Sequence, residues 1–233
     1  WSPLSGDQIG SLLGEFLASR GMKGSLANSI VSSRLLSRIA RAHGLDHHTT
    51  LTGFKWIARA PGLGFGYEEA IGFCPDPAHV RDKDGIATSV VAASLVAALK
   101  AQGRSVWDEL ERLARLHGLH VSSPLTFRVE QIEQIASGMA RLRAQPPSVL
   151  AGSPVVEVSD LSQGYRGLPP TDGVLVLTEA GDRVIARPSG TEPKLKCYLE
   201  VILPVAEGEP LPWEQARERL DAIKGAFAEI IGL

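Results

Sequence analysis

The stretch that decides the fold is Arg183–Ile202, which reads RVIARPSGTEPKLKCYLEVI. Its last part alternates apolar residues at positions 195, 197, 199 and 201 with Lys, Tyr and Glu between them. This period of two is typical of a β-strand with one buried face, and Arg183–Ala186 is a second strand candidate. The residues between the two strands, Arg187–Lys194, are therefore predicted to form a tight loop at a sheet edge.

More strand candidates precede this hairpin, and a helix follows it. Short apolar runs predict further strands over residues 125–129, 155–158 and 173–177, and residues 179–182 have the composition of a hairpin turn. Apolar residues at helical spacing predict one helix between the first two of these strands and a closing helix over 213–231. Together these elements predict an α+β domain in which helices flank an antiparallel sheet.

The first half of the chain has a different pattern. Helical and strand-like segments alternate up to about residue 120, which is typical of an α/β domain. Residues 60–77 are rich in glycine and proline and are predicted to be the least regular stretch, a loop that can approach a ligand closely. The pattern changes at Ser122-Ser123-Pro124, so the boundary is predicted there. This gives an α/β domain over residues 1–123 followed by a smaller α+β domain over residues 124–233.

Composition and charge exclude several classes of protein. Lys and Arg number 24 against 26 Asp and Glu, so no overall basic field exists to bind a nucleic-acid backbone. The longest apolar run, Val90–Leu99, is interrupted by Ser94 and is too short to span a bilayer. The amino end lacks the features of a signal peptide, and Cys74 and Cys197 cannot make a disulfide framework. We therefore expect a cytoplasmic globular protein with no nucleic-acid or membrane partner.

The loop between the two strands carries the groups that bind a phosphate. Such an anion needs converging backbone N–H groups, hydroxyl donors and at least one fixed cation. The loop has two hydroxyls, a glycine that lets N–H groups converge, a guanidinium and a lysine at its end. The candidate phosphate-binding residues are Arg187, Ser189, Gly190, Thr191 and Lys194. The alternative interpretation is an ordinary polar hairpin.

The same loop resembles the phosphate-binding loop in the last domain of the α-D-phosphohexomutases, the phosphoglucomutase and phosphomannomutase superfamily. Residues 66–72, GYEEAIG, resemble the sugar-binding loop of that family's third domain. Residues 52–57 and 81–85 resemble motifs that flank it, and all four segments occur in the family's order. The resemblance covers nearly the whole chain and implies the third and fourth domains of such an enzyme.

Within residues 66–72, both the resemblance and the chemistry indicate Glu68 as a residue that binds the sugar. A carboxylate can accept hydrogen bonds from two neighbouring hydroxyls of a hexose. Glu69 is a second candidate, but neighbours in an extended segment point to opposite sides, which favours a structural role for it. Lys55 is either a cation near the phosphosugar or a surface lysine. Ala70 stands where family members often have serine, so one hydroxyl contact is missing.

The resemblance also implies a reaction. In the intact enzyme a phosphoserine donates its phosphoryl group to a sugar monophosphate, and the resulting bisphosphate returns its other phosphate to the serine. The family's Ser-His loop and its Asp-x-Asp-x-Asp-Arg magnesium loop do not occur in this sequence. The chain is therefore expected to hold no catalytic nucleophile and no magnesium ligand. Its partners would be a phosphorylated sugar and the missing amino-terminal domains.

Three interpretations of function stay open from the sequence. One is phosphomannomutase or phosphoglucomutase activity, which interconverts hexose 6-phosphate and hexose 1-phosphate. Another is phosphopentomutase-type activity, because the Glu-Glu-Ala-Ile-Gly form of the loop resembles both groups. The third is a stand-alone protein that binds phosphosugars without catalysis.

Overall fold

The computed structural model describes residues 3–189 and 192–232. The chain divides into two compact units, of which the first comprises the residues up to Gly118 with Ala206–Gly208. The second comprises Leu119–Val205 with the residues from Glu209 on. The boundary predicted between Ser123 and Pro124 lies a few residues after the one in this division, which falls between Gly118 and Leu119. Ser123 and Pro124 both lie inside a ten-residue strand, which starts directly after the glycine that ends the preceding helix.

The first unit is an α/β layer, as the alternating pattern predicts. Its elements in chain order are α1 (Gly6–Ser19), β1 (Ser25–Ser29), α2 (Leu35–Ala42), β2 (His47–Thr50), α3 (Phe54–Ile57), β3 (Leu63–Glu68), β4 (Gly72–Cys74), α4 (Gly85–Ala101) and α5 (Val106–His117). The sheet has the order β2-β1-β3-β4. Strand β1 runs parallel to β2 and β3, and β4 returns antiparallel to β3.

Side-chain caps fix where three helices of this unit begin. Ser5 caps α1 in a capping box with Gln8, and Ser105 caps α5 in a capping box with Asp108. The Asp84 carboxylate accepts from two backbone N–H groups at the start of α4. Each of these cap residues lies within one turn of the helix start that it fixes.

The glycine-rich stretch is more regular than predicted, because it contains β3 and β4. Phe65 and Tyr67 of β3 are fully buried in the core between α1 and α2. Gly66 lies between them on the other face, where a Cβ would collide with the Ile57 side chain of α3. Glycine here permits close packing of a helix on a strand, so it does not mark a loop.

The second unit is an antiparallel sheet with helices, as predicted. Its elements are β5 (Leu119–Arg128), α6 (Ile132–Ala144), β6 (Val149–Leu150), β7 (Ser153–Asp160), β8 (Val174–Thr178), β9 (Arg183–Pro188), β10 (Lys194–Leu203) and α7 (Trp213–Ile231). The sheet order is β5-β10-β9-β8-β7-β6. The β9–β10 loop was expected at a sheet edge, but it joins two interior strands and lies at their ends.

Alternation along β10 positions the core of this unit. Its odd-numbered residues from 195 to 201 are all buried, and α6 and α7 both contact the strand. Helix α7 contributes one apolar face, of which Ile223 and Phe227 are fully buried. The even-numbered residues of β10 lie on the opposite face of the sheet, because side chains alternate along a strand.

A buried ion pair anchors α7 to the β8–β9 turn. Asp182 is the last residue of the predicted hairpin turn, and its side chain is fully buried. Its Oδ2 accepts from Arg219 at 2.7 and 2.8 Å and from the Thr178 hydroxyl at 3.2 Å. Replacing one member of such a pair leaves the other charged group without its partner, which is strongly destabilising.

We predict that Asp182→Ala lowers the free energy of unfolding by about 3 kcal/mol, because it breaks a buried pair. Asp221→Ala is the matched control, since that aspartate is mostly exposed and pairs with Lys224 on the surface of α7. Its effect should stay below about 1 kcal/mol. Urea unfolding monitored by circular dichroism measures both variants. Equal losses would contradict the anchoring role of Asp182.

Candidate functional site

The first candidate site is the turn between β9 and β10. Pro188 pairs with Leu195 at the end of the ladder, and the Ser189 N–H donates to the Lys194 carbonyl at 2.9 Å. This bond closes the hairpin immediately beyond the last strand pair. The predicted site residues Gly190 and Thr191 lie outside the described residues. Arg187, Ser189 and Lys194 surround the turn as the sequence predicts.

Register brings four cations onto one face of the sheet at this turn. Arg187 is directly opposite Lys196, and Lys194 is directly opposite Arg128. Directly paired residues share a face in an antiparallel sheet, and residues 194 and 196 share a face because they are two apart. Four basic residues from β9, β10 and β5 therefore lie on neighbouring strands and share one face of the sheet.

The sequence interpretation missed Arg128 and Lys196 as members of this cluster. Both residues are visible as cations at the ends of predicted strands, but their proximity depends on which strands pair and in which register. Only the alignment of β10 between β5 and β9 supplies that information. A basic residue at the exposed end of an alternating strand was the one signal that could have indicated Arg128.

One carboxylate partly balances the four cations. Glu192 forms an ion pair with Lys194, and the hydrogen bond from that lysine lowers the pKa of Glu192. Within residues 3–189 and 192–232, Arg187, Lys196 and Arg128 form no ion pair with a carboxylate. Like charges directly opposite each other destabilise a sheet. A bound anion would relieve this repulsion, so the cluster has the electrostatics of an anion site.

The second candidate site is the hairpin between β3 and β4. Glu68 ends β3 and pairs with Gly72, so residues 69–71 form a three-residue turn. Ile71 has a φ of 64° and is 70% exposed. A β-branched residue in the left-handed region is strained, and such strain concentrates at functional sites.

Glu69 supports this turn from behind. Its carboxylate accepts from the Ser29 hydroxyl at 3.1 Å and from the Ser32 hydroxyl at 3.0 Å. Its backbone N–H donates to the Ser32 oxygen at 3.2 Å. A Cβ on Gly6 would collide with the Glu69 carbonyl oxygen, so the start of α1 also packs against the turn. These contacts give Glu69 a structural role, in agreement with the expectation that its side chain points away from that of Glu68.

Glu68 is half-buried and carries the unusual electrostatics of the site. Burial raises its pKa, and the negative charge of Glu69 raises it further. Lys83 acts in the opposite direction and lowers that pKa. The Lys83 Nζ lies 2.9 Å from Asp82 and 4.9 Å from the ring centre of Phe54. The hairpin therefore presents a partly desolvated carboxylate with a lysine close to it.

Lys55 lies on α3 and is exposed. Its Nζ is 5.9 Å from the ring centre of Trp56, which is at the limit of a cation–π contact. The cation among the charged groups that shift the pKa of Glu68 is Lys83. The structure thus places Lys83 at the β3–β4 hairpin, and the predicted role of Lys55 stays a prediction.

Metal and thiol chemistry have no support in the part of the chain that the structure describes. No group of three or more His, Cys, Asp and Glu side chains there could hold a metal ion. Burial raises the pKa of Cys74 to about 11 and that of Cys197 to about 12. Both thiols stay protonated at neutral pH, so neither is a nucleophile. The two hairpins are suited to binding charged and hydroxylated ligands.

Comparison with known proteins identifies both units. Residues 5–116 match the family model for phosphoglucomutase/phosphomannomutase, alpha/beta/alpha domain III. Residues 127–211 match the model for the phosphoglucomutase/phosphomannomutase C-terminal domain. A Haemophilus influenzae protein described as "Probable phosphomannomutase" is 42% identical over 202 residues, which is 86% of this chain and 41% of that protein. A mouse phosphopentomutase is 29% identical over 265 residues, covering 98% of this chain and 42% of the relative.

Solved structures with a similar fold include a phosphoglucomutase. The structure of Paramecium pp63/parafusin, a phosphoglucomutase in its open form, superposes on this chain with a TM-score of 0.70 at 18% identity. That match covers 99% of this chain and 43% of the Paramecium chain. The chain therefore spans about two fifths of the length of the relatives that it matches.

We predict that Glu69→Gln lowers the pKa of Glu68, because it removes the like charge that raises this pKa. The neutral amide keeps an oxygen that accepts from Ser29 and Ser32. Carboxyl-detected NMR titration of the 233-residue chain measures the change. Asp221→Asn on α7 is a control with no expected effect. A Glu68 pKa that stays the same or rises in Glu69→Gln would contradict the geometry of the hairpin.

Proposed function

This chain belongs to the phosphoglucomutase/phosphomannomutase family, and we propose that it is the substrate-binding half of a phosphosugar mutase, an isomerase. The observation that carries the proposal is the β9–β10 turn with its four cations on one face. The proposed reaction interconverts hexose 6-phosphate and hexose 1-phosphate through a phosphoserine and a sugar bisphosphate. This half would bind the substrate without making or breaking the phosphoryl bond.

The β9–β10 turn is proposed to hold the phosphate that is not reacting. Arg187 would donate two parallel hydrogen bonds to the phosphate oxygens, and the Ser189 hydroxyl would donate a third. Gly190 and Thr191 are assigned to the site on the family motif alone. Lys194 would exchange its ion pair with Glu192 for one with the phosphate, and the neighbouring cations would add charge.

The β3–β4 hairpin is proposed to bind the sugar. Glu68 would accept hydrogen bonds from neighbouring hydroxyls, and Lys83 would keep that carboxylate ionised by lowering its pKa. Glu69 would position the turn through Ser29 and Ser32. Ala70 has no hydroxyl to add, so Glu68 would carry the polar contact that a serine shares in other family members.

Positioning is the contribution of this half to phosphoryl transfer. Holding the substrate so that its reactive oxygen faces the phosphoserine removes an entropic barrier, which is a large share of catalysis for this reaction class. We propose that the amino-terminal domains of the whole protein supply the phosphoserine and the magnesium ion. The described residues contain no ligand set that fits that ion. The same proposal places the enzyme in the cytoplasm.

A second candidate, phosphopentomutase activity, is favoured by the similarity to the mouse enzyme, which extends over 98% of the chain. The higher identity to the Haemophilus influenzae protein favours the hexose reaction. The two enzymes share the phosphate chemistry and differ in the sugar that Glu68 would contact. Assaying a whole protein that contains this chain on glucose, mannose and ribose 1-phosphates distinguishes them.

We predict that the isolated chain binds inorganic phosphate and that Arg187→Ala weakens the binding tenfold to a hundredfold. A charge-assisted hydrogen bond contributes roughly 1.5–3 kcal/mol, and each tenfold change in affinity corresponds to about 1.4 kcal/mol. Lys196→Ala should also weaken the binding of phosphate. Lys55→Ala, in the first unit, is the comparison and should weaken the binding much less. Calorimetry that finds equal affinities for wild type and Arg187→Ala would refute the site.

We also predict that the 233-residue chain alone does not turn over glucose, mannose or ribose 1-phosphate. The reason is that the family's Ser-His loop, which carries the phosphoserine, and its magnesium loop do not occur in this sequence. Coupled assays with the purified chain test this, with a complete phosphoglucomutase as the positive control. Turnover that persists after removal of contaminating enzymes would show that the chain holds its own catalytic nucleophile.

A further inference from the structure

Helix α4 of the first unit is mostly apolar on all sides. Between Ile86 and Leu99 it has no charged residue, and its polar residues there are Thr88, Ser89 and Ser94. Of its residues, only Leu95 and Leu99 are fully buried, and they pack in the core beside α1 and α5. A helix that is hydrophobic on all sides is normally buried on all sides. From its composition, the side of α4 that faces away from this core should therefore be buried as well.

That opposite side is exposed. Ile86 is 83% exposed, Val90 is 63% exposed and Val96 is 49% exposed. Positions 86, 90, 93 and 97 are separated by four, three and four residues, so they form one stripe along the helix. We define the α4 surface by its five exposed apolar residues, which are Ile86, Val90, Ala93, Val96 and Ala97, and the exposed Ser89 and Ser94 lie among them.

Neighbouring helices show that the chain does put charges where a helix faces water. The exposed side of α2 carries Arg38 and Arg41, and that of α5 carries Asp108, Glu111 and Arg115. Leu35 and Leu36 lie on the buried side of α2 and Leu113 on that of α5, although Leu116 of α5 is exposed. The α4 surface departs from this rule along three turns of helix. Its composition matches that of a surface covered by protein.

We propose that the α4 surface is the docking site for an amino-terminal domain of the same polypeptide. The chain spans 41% of the Haemophilus influenzae relative, and its two units match the third and the C-terminal domain of the family. A whole family member therefore has further protein that can cover α4. Permanent interfaces are more apolar than transient ones and resemble a core cut in half. The uncharged α4 surface fits a permanent interface of this kind.

A membrane is a less suitable occupant. Over residues 3–189 and 192–232, no single helix has the length and apolar composition of a membrane span. Helices α4 and α5 pass such a test only together, across a bend of 88°. A helix that lies on a membrane carries Lys and Arg beside its apolar face, whereas α4 has one such residue, Lys100, near its end.

Thiol labelling tests the proposal, because Cys74 and Cys197 are buried and give a low background. Val90→Cys reports on the α4 surface, and Arg38→Cys, on the charged side of α2, is the matched control. Each variant is labelled with a maleimide in the isolated chain and in a chimera. In the chimera this chain replaces the segment that it matches in the Haemophilus influenzae protein.

In the chimera, Val90→Cys should be labelled at least about tenfold more slowly than in the isolated chain, because a packed interface excludes water. Arg38→Cys should be labelled at the same rate in both. A second arrangement adds the amino-terminal part of the relative as a separate polypeptide, so that the result does not depend on the chimera folding. Equal labelling of Val90→Cys in the isolated chain and in both arrangements would overturn the proposal.

Two further outcomes would also overturn it. Protection that grows with the concentration of the isolated chain would assign the α4 surface to a second copy. Protection that appears only with vesicles of phosphatidylglycerol would assign it to a lipid surface. The proposal rests on the proposed function only in requiring amino-terminal domains. Loss of phosphate binding tests the β9–β10 turn, whereas cysteine labelling tests α4, so the two can fail separately.

Discussion

The register of β10 between β5 and β9 is the constraint on which the second unit depends. Because side chains alternate along a strand, this register places Leu195, Cys197, Leu199 and Val201 in the core beneath the helices. The same register places the even-numbered residues on the other face. A slip by one residue would bury lysines and expose the core, so the hydrophobic core and the anion site are specified together.

The two ends of that second face show opposite ways of placing charge. At the far end, Glu200 is buried and bonded at 3.3 Å to both Arg183 and His120. At the turn, Lys196 and Arg187 are directly opposed like charges, which lowers the stability of the sheet. At Glu200 the charges are paired within the protein. At Arg187 and Lys196 the like charges can be tolerated if a bound anion supplies the opposite charge. This contrast locates the site better than the presence of any single residue.

How far the sequence predicts this structure depends on the range of the interactions. Helix starts are fixed by residues within one turn, such as the caps Ser5, Asp84 and Ser105. The boundary after Gly118 and the strands within 60–77 depend on partners distant in the chain, so the boundary was predicted a few residues later and residues 60–77 were predicted to be irregular. The motif around Arg187 indicated phosphate chemistry, but the contribution of Arg128 required the strand pairing.

The β3–β4 hairpin also carries unbalanced charge, of the opposite sign to that of the β9–β10 turn. Glu68 and Glu69 place two carboxylates side by side, and the charge of Glu69 raises the pKa of Glu68. The Ser29 and Ser32 hydroxyls donate to Glu69, whereas Glu68 is left for a ligand. The strained Ile71 lies at the same turn. Elsewhere, as at Asp182 and Arg219, the chain pairs its buried charges. Both hairpins depart from this rule, and a ligand with phosphate and hydroxyl groups would satisfy each of them.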